Sequence, residues 1–185
     1  MLIRTIHWRT AIRLFLSLAL IFTALPAHTS SHQTPVRVVP SVDIPRYMGR
    51  WYEIAHLPAW FQGNCASDTT ATYTLRPDGK ITVLNECRKA NGAHTAANGV
   101  ARLAGAHEPN TKLKVSFFWP FSGDYWIIDL DPNYRWAVVG DPQRRYLWIL
   151  SRESKINPAI YAQILDHVRS QGYDLSPLIW TRHSH

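Results

Sequence analysis

The chain carries 185 residues, 46% of them hydrophobic, with a formal net charge of +7 and two cysteines. This composition builds a sizeable core and excludes an intrinsically disordered chain. The positive charge is partly positional: Arg4, Arg9 and Arg13 precede every acidic residue and stand before an apolar run over residues 14–25, broken only by Ser17 and Thr23.

A basic start, an apolar run shorter than the roughly 20 residues of a membrane helix and a small-residue exit at Ala27 read as a secretory signal peptide over residues 1–27. An uncleaved anchor is the other reading of that segment. Cleavage after Ala27 removes three arginines and no acid, taking the net charge from +7 to +4. No basic cluster of the kind that binds nucleic acid is left. No cysteine follows the apolar run, so a lipid-bearing N-terminal cysteine is not expected. The expected product is exported and soluble, in the periplasm or secreted. Residues 28–41 are polar, hold Pro35 and Pro40 and show no periodicity, which predicts a flexible tether ahead of one domain over residues 42–182.

Within that domain, apolar and polar residues alternate over 69–75, 81–87, 113–117 and 126–130, the period of half-buried strands. Residues 51–56, 98–103, 134–139 and 146–151 bring the strand count to eight. Turn words separate them, among them Arg76-Pro77-Asp78-Gly79, Glu108-Pro109-Asn110 and Asp131-Pro132-Asn133. Consecutive hairpins of this regularity predict an antiparallel up-and-down barrel or a sandwich. One helix follows: Asn157 caps it, Pro158 suits its first position and Gly172 ends it. Ile160, Ile164, Leu165 and Val168 form one apolar stripe, so the helix packs outside the sheet. Residues 178–180 read as a short last strand. Cys65 and Cys87, an even count in an exported chain, favour a disulfide; two buried thiols are the alternative. The Cys-x21-Cys spacing is not a zinc pattern and the histidines are scattered, so neither metal nor cofactor is expected.

Three words then resemble the lipocalin family. Gly49-Arg50-Trp51-Tyr52-Glu53-Ile54-Ala55 is similar to its first-strand signature, and Asp131-Pro132-Asn133-Tyr134 stands where the family has its second. Leu147-Trp148-Ile149-Leu150-Ser151-Arg152 resembles its third. The flanking words are similar to bacterial lipocalins of the apolipoprotein D-like branch. The resemblance implies an all-β fold: an eight-stranded antiparallel calyx with one C-terminal helix outside. It also implies that Arg152 stacks on Trp51. The physical reading is the same: an indole plugs the narrow end and a guanidinium lies over its face. Gly49 lets the chain pass closely beneath the barrel.

The inward period places Ala71, Tyr73, Val83, Asn85, Val115, Phe117, Trp126, Ile128, Trp148 and Leu150 in the cavity, with Trp60 and Phe61 closing its mouth. The resemblance supports Tyr73, Asn85, Trp126 and Trp148 as pocket positions. An apolar pocket with a few polar groups suits a lipid tail with a polar head. The expected function is therefore binding and transport of a fatty acid or lysophospholipid, with transient membrane contact as a possible accompaniment and no nucleic acid. Two other classes compete. A pocket thiol at Cys87 would make an enzyme, but no general base stands near it in sequence. A barrel filled by its own side chains would be an interaction scaffold without ligand.

Overall fold

The computed structural model describes residues 34–184, so the leader expected over residues 1–27 lies outside the described residues. Eight strands form the wall: β1 (Gly49–His56), β2 (Ser67–Leu75), β3 (Ile81–Arg88), β4 (His94–Leu103), β5 (Lys112–Phe118), β6 (Phe121–Leu130), β7 (Trp136–Gly140) and β8 (Leu147–Ser151). Each pairs antiparallel with the next, and β1 pairs with both β8 and β2, which closes the barrel. Closure removes the free sheet edges that an open eight-stranded sheet would expose. A ninth strand, β9 (Ile179–Trp180), takes Ala55 and His56 of β1 beyond the point where β2 leaves it at Tyr52.

Two helices complete the chain. α1 (Ile44–Tyr47), a single turn unforeseen in the sequence, crosses beneath the barrel with Asp43 as its cap. α2 (Pro158–Ser170) begins where the sequence places it: the Asn157 carboxamide accepts from the amides of Ala159 and Ile160, satisfying two of the helix's orphan donors.

Two apolar layers follow from strand alternation. Trp51, Tyr73, Ile81, Val83, Leu113, Ile127, Val139 and Leu150 fill the barrel. On the other side of the wall, Ile54, Ile128, Val138, Leu147 and Ile149 pack against Ile164 and Val168 of α2.

Alternation within β6 differs from the expectation. Leu113 pairs with Tyr125 and Lys112 with Trp126. Cross-strand partners share a face, so an inward Leu113 puts Tyr125 and Ile127 inside and Trp126 and Ile128 outside. Trp126 lies among the residues of the helix-side layer with the Lys112 ammonium 4.5 Å above its ring, and Ile128 is buried in that same layer. Neither lines the cavity. The sequence word is apolar on both faces over residues 125–128, so periodicity alone left the phase open.

The tether also differs where it is described. Val36 and Val42 are buried, the Val39 amide donates to Ile127, and Val42 exchanges two hydrogen bonds with the Asn110 side chain. Four valines between residues 36 and 42 provide the apolar surface that holds this segment against the barrel. Gly49 is needed for a reason other than crowding: its φ of +90° is the left-handed region, while a Cβ there would meet Arg152 at an ordinary 3.4 Å.

At the far end of the chain, Asp68 anchors the C-terminal segment, its carboxylate accepting from the amide and hydroxyl of Ser184. The Ser184 amide, above all, together with that hydroxyl and the Ser67 hydroxyl, holds the Asp68 carboxyl down at about 2. A depressed carboxyl adds stability that is complete above its unfolded value, near 3.9, and is lost as pH falls toward the folded value. The contribution at neutral pH is about 1–2 kcal/mol after allowance for solvent screening. Asp68→Asn should therefore flatten the urea midpoint between pH 4 and pH 2; an unchanged acid limb would disprove this anchoring.

Candidate functional site: the mouth of the barrel

Odd-numbered strands run from the α1 end upward, so the loops after β1, β3, β5 and β7 surround the opposite end. The α1 end is shut. Trp51 is fully buried there and donates its indole N–H to the Tyr47 carbonyl at 2.9 Å. The Arg152 guanidinium lies 3.8 Å from the Trp51 ring centroid and donates to the carbonyls of Arg46, Arg50 and Tyr134. Tyr134 in turn accepts from the Asp43 amide through its hydroxyl and carries Arg46 over its ring at 4.2 Å, pinning α1 in place. Asp131 orders the turn before β7, its carboxylate accepting from the amides of Asn133 and Arg135 and from the Arg135 side chain. That Arg135 bond, first among its causes, holds the Asp131 carboxyl below its ordinary range.

Above this plug stands a chain of phenols. Tyr125 donates to Tyr73 at 2.9 Å and so accepts from Tyr47 at 2.8 Å, because a hydroxyl has one proton. Burial pushes the Tyr73 hydroxyl up to about 12 and those of Tyr47 and Tyr125 well above their ordinary value, so all three stay neutral. The void they enclose with Leu113 and Ile81 is about 10 Å³, room for one water at most. The floor is therefore tight.

Toward the mouth the packing opens. Asn85, Val115, Phe117 and Trp148 are on the inward face yet only half buried, whereas Tyr73, Val83 and Ile127, deeper on that face, are buried. Water thus reaches an apolar inner wall from one end. Phe117 lies over Gly99, where a Cβ would meet its ring at 2.9 Å, so the glycine sets how far the phenyl retracts from the lumen. The Asn85 carboxamide oxygen is buried without a hydrogen-bond partner among the described residues. A buried acceptor left unpaired costs about 1–3 kcal/mol, which a donor entering the lumen would recover.

The loop after β1 leans over this opening. Phe61, 53% exposed, stands 6.3 Å from Trp148 and 5.7 Å from Tyr146 between ring centroids. Sequence reasoning missed what holds it. The Trp148 indole donates to the Gln62 carboxamide, Gln62 donates to Glu53, and Thr181 donates to the other oxygen of Glu53. Glu53 is buried, and a carboxylate inside the Trp-Tyr-Glu-Ile-Ala word needs partners of this kind; that was the available signal. Cys65 and Cys87 form a disulfide that ties the same loop to the end of β3. Both thiols are thereby consumed, so the pocket-thiol enzyme lacks its nucleophile.

The rim itself is apolar. Beside Trp60 and Phe61, the β5–β6 turn presents Phe118, Trp119 and Phe121, with Trp119 90% exposed. Arg88 and Lys89 follow Cys87 at the same end.

A family model for a lipocalin-like domain matches residues 42–183. Temperature-induced lipocalin-1 of Arabidopsis thaliana is 44% identical over 150 residues, covering 77% of this chain and 80% of that protein. Outer membrane lipoprotein Blc of Escherichia coli is 41% identical over 156 residues, covering 82% and 87%. Apolipoprotein D of Mus musculus is 33% identical over 157 residues, covering 78% of each. Among solved structures, insecticyanin from the tobacco hornworm Manduca sexta superposes with a TM-score of 0.67 at 21% identity, covering 81% of this chain and 85% of that one, a likeness of fold.

Proposed function

This chain belongs to the lipocalin family, whose barrels bind small hydrophobic ligands, and from that premise we propose that it carries a fatty acid or lysophospholipid. The observation that supports this reading is the gradient along the inner wall: shut at the tyrosine floor, half open at Val115, Phe117 and Trp148. The acyl tail lies along those side chains, and the polar head stays near Asn85 and the rim. Phe61 covers the tail. Lys89 faces an anionic head, and the aromatic rim touches a membrane transiently while cargo is exchanged. The disulfide and the basic, apolar N-terminus support an exported carrier, periplasmic or secreted.

Tail burial contributes about 0.8 kcal/mol per methylene, roughly fourfold in affinity. Titration of delipidated protein with saturated acids of increasing length should show that tightening until the lumen is full. Trp148→Phe should abolish the fluorescence response and Trp126→Phe, on the helix side, should leave it. In a transfer assay from labelled vesicles, Trp119→Ser should slow loading without changing the affinity for free acid. Flat affinity across the series would favour a filled scaffold instead, and unchanged loading by Trp119→Ser would remove the membrane contact.

A further inference from the structure

The inner wall changes character across one rung of the barrel. Tyr73, Val83 and Gly99 stand abreast on β2, β3 and β4, and Phe117 continues the rung on β5, one step above the Val100–Ser116 pair. Tyr73, Val83 and Gly99 are buried, and Phe117 is half-buried. On the next rung toward the mouth, Ala71, Asn85 and Ala97 share the inward face, and Ala97 is exposed. One rung lower, Ile81 and Ala101 are buried and Val115 is half-buried. Small side chains thus leave room above the Phe117 rung, and any tail that reaches Val115 passes the Phe117 ring.

That ring lies flat on the wall because position 99 has no side chain. A Cβ on Gly99 would meet Cδ1 and Cε1 of Phe117 and the Ser116 carbonyl, each at 2.9 Å, closer than a Cβ can approach. A glycine inside a strand often marks an approach of this kind. The carbonyl is backbone and cannot swing aside, so a side chain at position 99 would drive the ring off the wall and into the lumen. The depth above the rung is limited. From Val83 to the end of β3 at Arg88 the strand rises about 16 Å, or about 13 Å along the axis of a barrel with strands tilted 35–45°. A membrane acyl tail fills half of a hydrocarbon core of roughly 30 Å. The room above Phe117 is a little shorter than such a tail.

We infer that Gly99 and Phe117 set the length of acyl chain that the lumen accepts: the glycine holds the ring back, and the ring stops the end of the tail. The inference rests on the acyl-carrier reading above and adds to it a limit shorter than a full membrane tail.

Calorimetric titration of the delipidated protein with saturated acids of eight to eighteen carbons tests this. Wild-type affinity should rise with length and level off before the longest acid. Phe117→Ala should move that point up by at least two carbons, about sixteenfold in affinity at about fourfold per methylene. Gly99→Ala should move it down by at least two carbons. Phe117→Trp, which enlarges the ring without crowding the backbone, should do the same and serves if Gly99→Ala does not fold. A loss of packing alone would weaken every acid alike and leave the levelling point where it was. An unmoved levelling point in the folded variants overturns the gauge while the carrier reading stands. Flat or absent binding by wild type overturns both.

Discussion

Trp51→Ala should destabilise the protein by about 3–5 kcal/mol, more than a surface aromatic would. The indole is fully buried where the barrel narrows, and the residues around it cannot collapse into the space it leaves. Tyr47 and Tyr73 are committed to the phenol chain, and the polypeptide below is fixed by α1. Removal also deprives the Tyr47 carbonyl of its donor and Arg152 of the ring it covers. Burial already lowers the pKa of this guanidinium, and the π-face and three carbonyls around it take the place of the water it gives up. A stacked cation of this kind contributes about 1–2 kcal/mol when desolvated. Arg152→Ala should cost less than Trp51→Ala, since water can reach the exposed carbonyls it leaves. The double variant should lose less than the sum of the two, because each single change already removes the contact. Urea unfolding of the four proteins measures the cycle, and additive losses would mean that the stacking carries no energy.

The plugged end was legible because Gly49, Trp51, Asp131, Tyr134 and Arg152 stand in short words that resemble family signatures, although Arg152 and Trp51 meet only once the barrel has closed. The barrel order and α2 were legible for a similar reason: hairpin spacing and an Asn-Pro start are signals of adjacent residues. The lumen was legible only in part. Tyr73, Val83, Asn85, Val115, Phe117 and Trp148 point inward, while Trp126 and Ile128 do not. The word Tyr125-Trp126-Ile127-Ile128 is apolar on both faces because one face meets the lumen and the other meets α2. Alternation cannot decide between two apolar faces; the pairing of Leu113 with Tyr125 does. The Glu53–Gln62–Trp148 connection was out of reach for a different reason: it joins residues 86 positions apart, and only the closed barrel brings them together.

Breaking the Cys65–Cys87 bond should have the second largest effect, about 3 kcal/mol by the entropy of the loop that it closes. The bridge spans 22 residues and joins the loop after β1 to the end of β3, with Cα atoms 5.6 Å apart. Between its two ends the chain makes the β2–β3 hairpin, so the bond fastens a long excursion at its base. For a domain of this size the loss is a fall of roughly 6–12 °C in melting temperature. The bond also bears on the opening. Trp60, Phe61 and Gln62 ride on the tethered loop, held otherwise by the Phe61 ring contacts with Tyr146 and Trp148, the Gln62 hydrogen bonds and the Ala66 amide on the Arg88 carbonyl. These remaining holds are few and near water, the condition under which a segment opens locally at low cost. A Cys65→Ser, Cys87→Ser variant should therefore release a bound acyl chain faster than wild type, with loss of affinity carried by the off-rate. Calorimetry with and without reductant, followed by stopped-flow release into albumin, separates the two effects. A lower melting temperature with unchanged release would confine the bond to stability, and an unchanged melting temperature would remove its structural role as well.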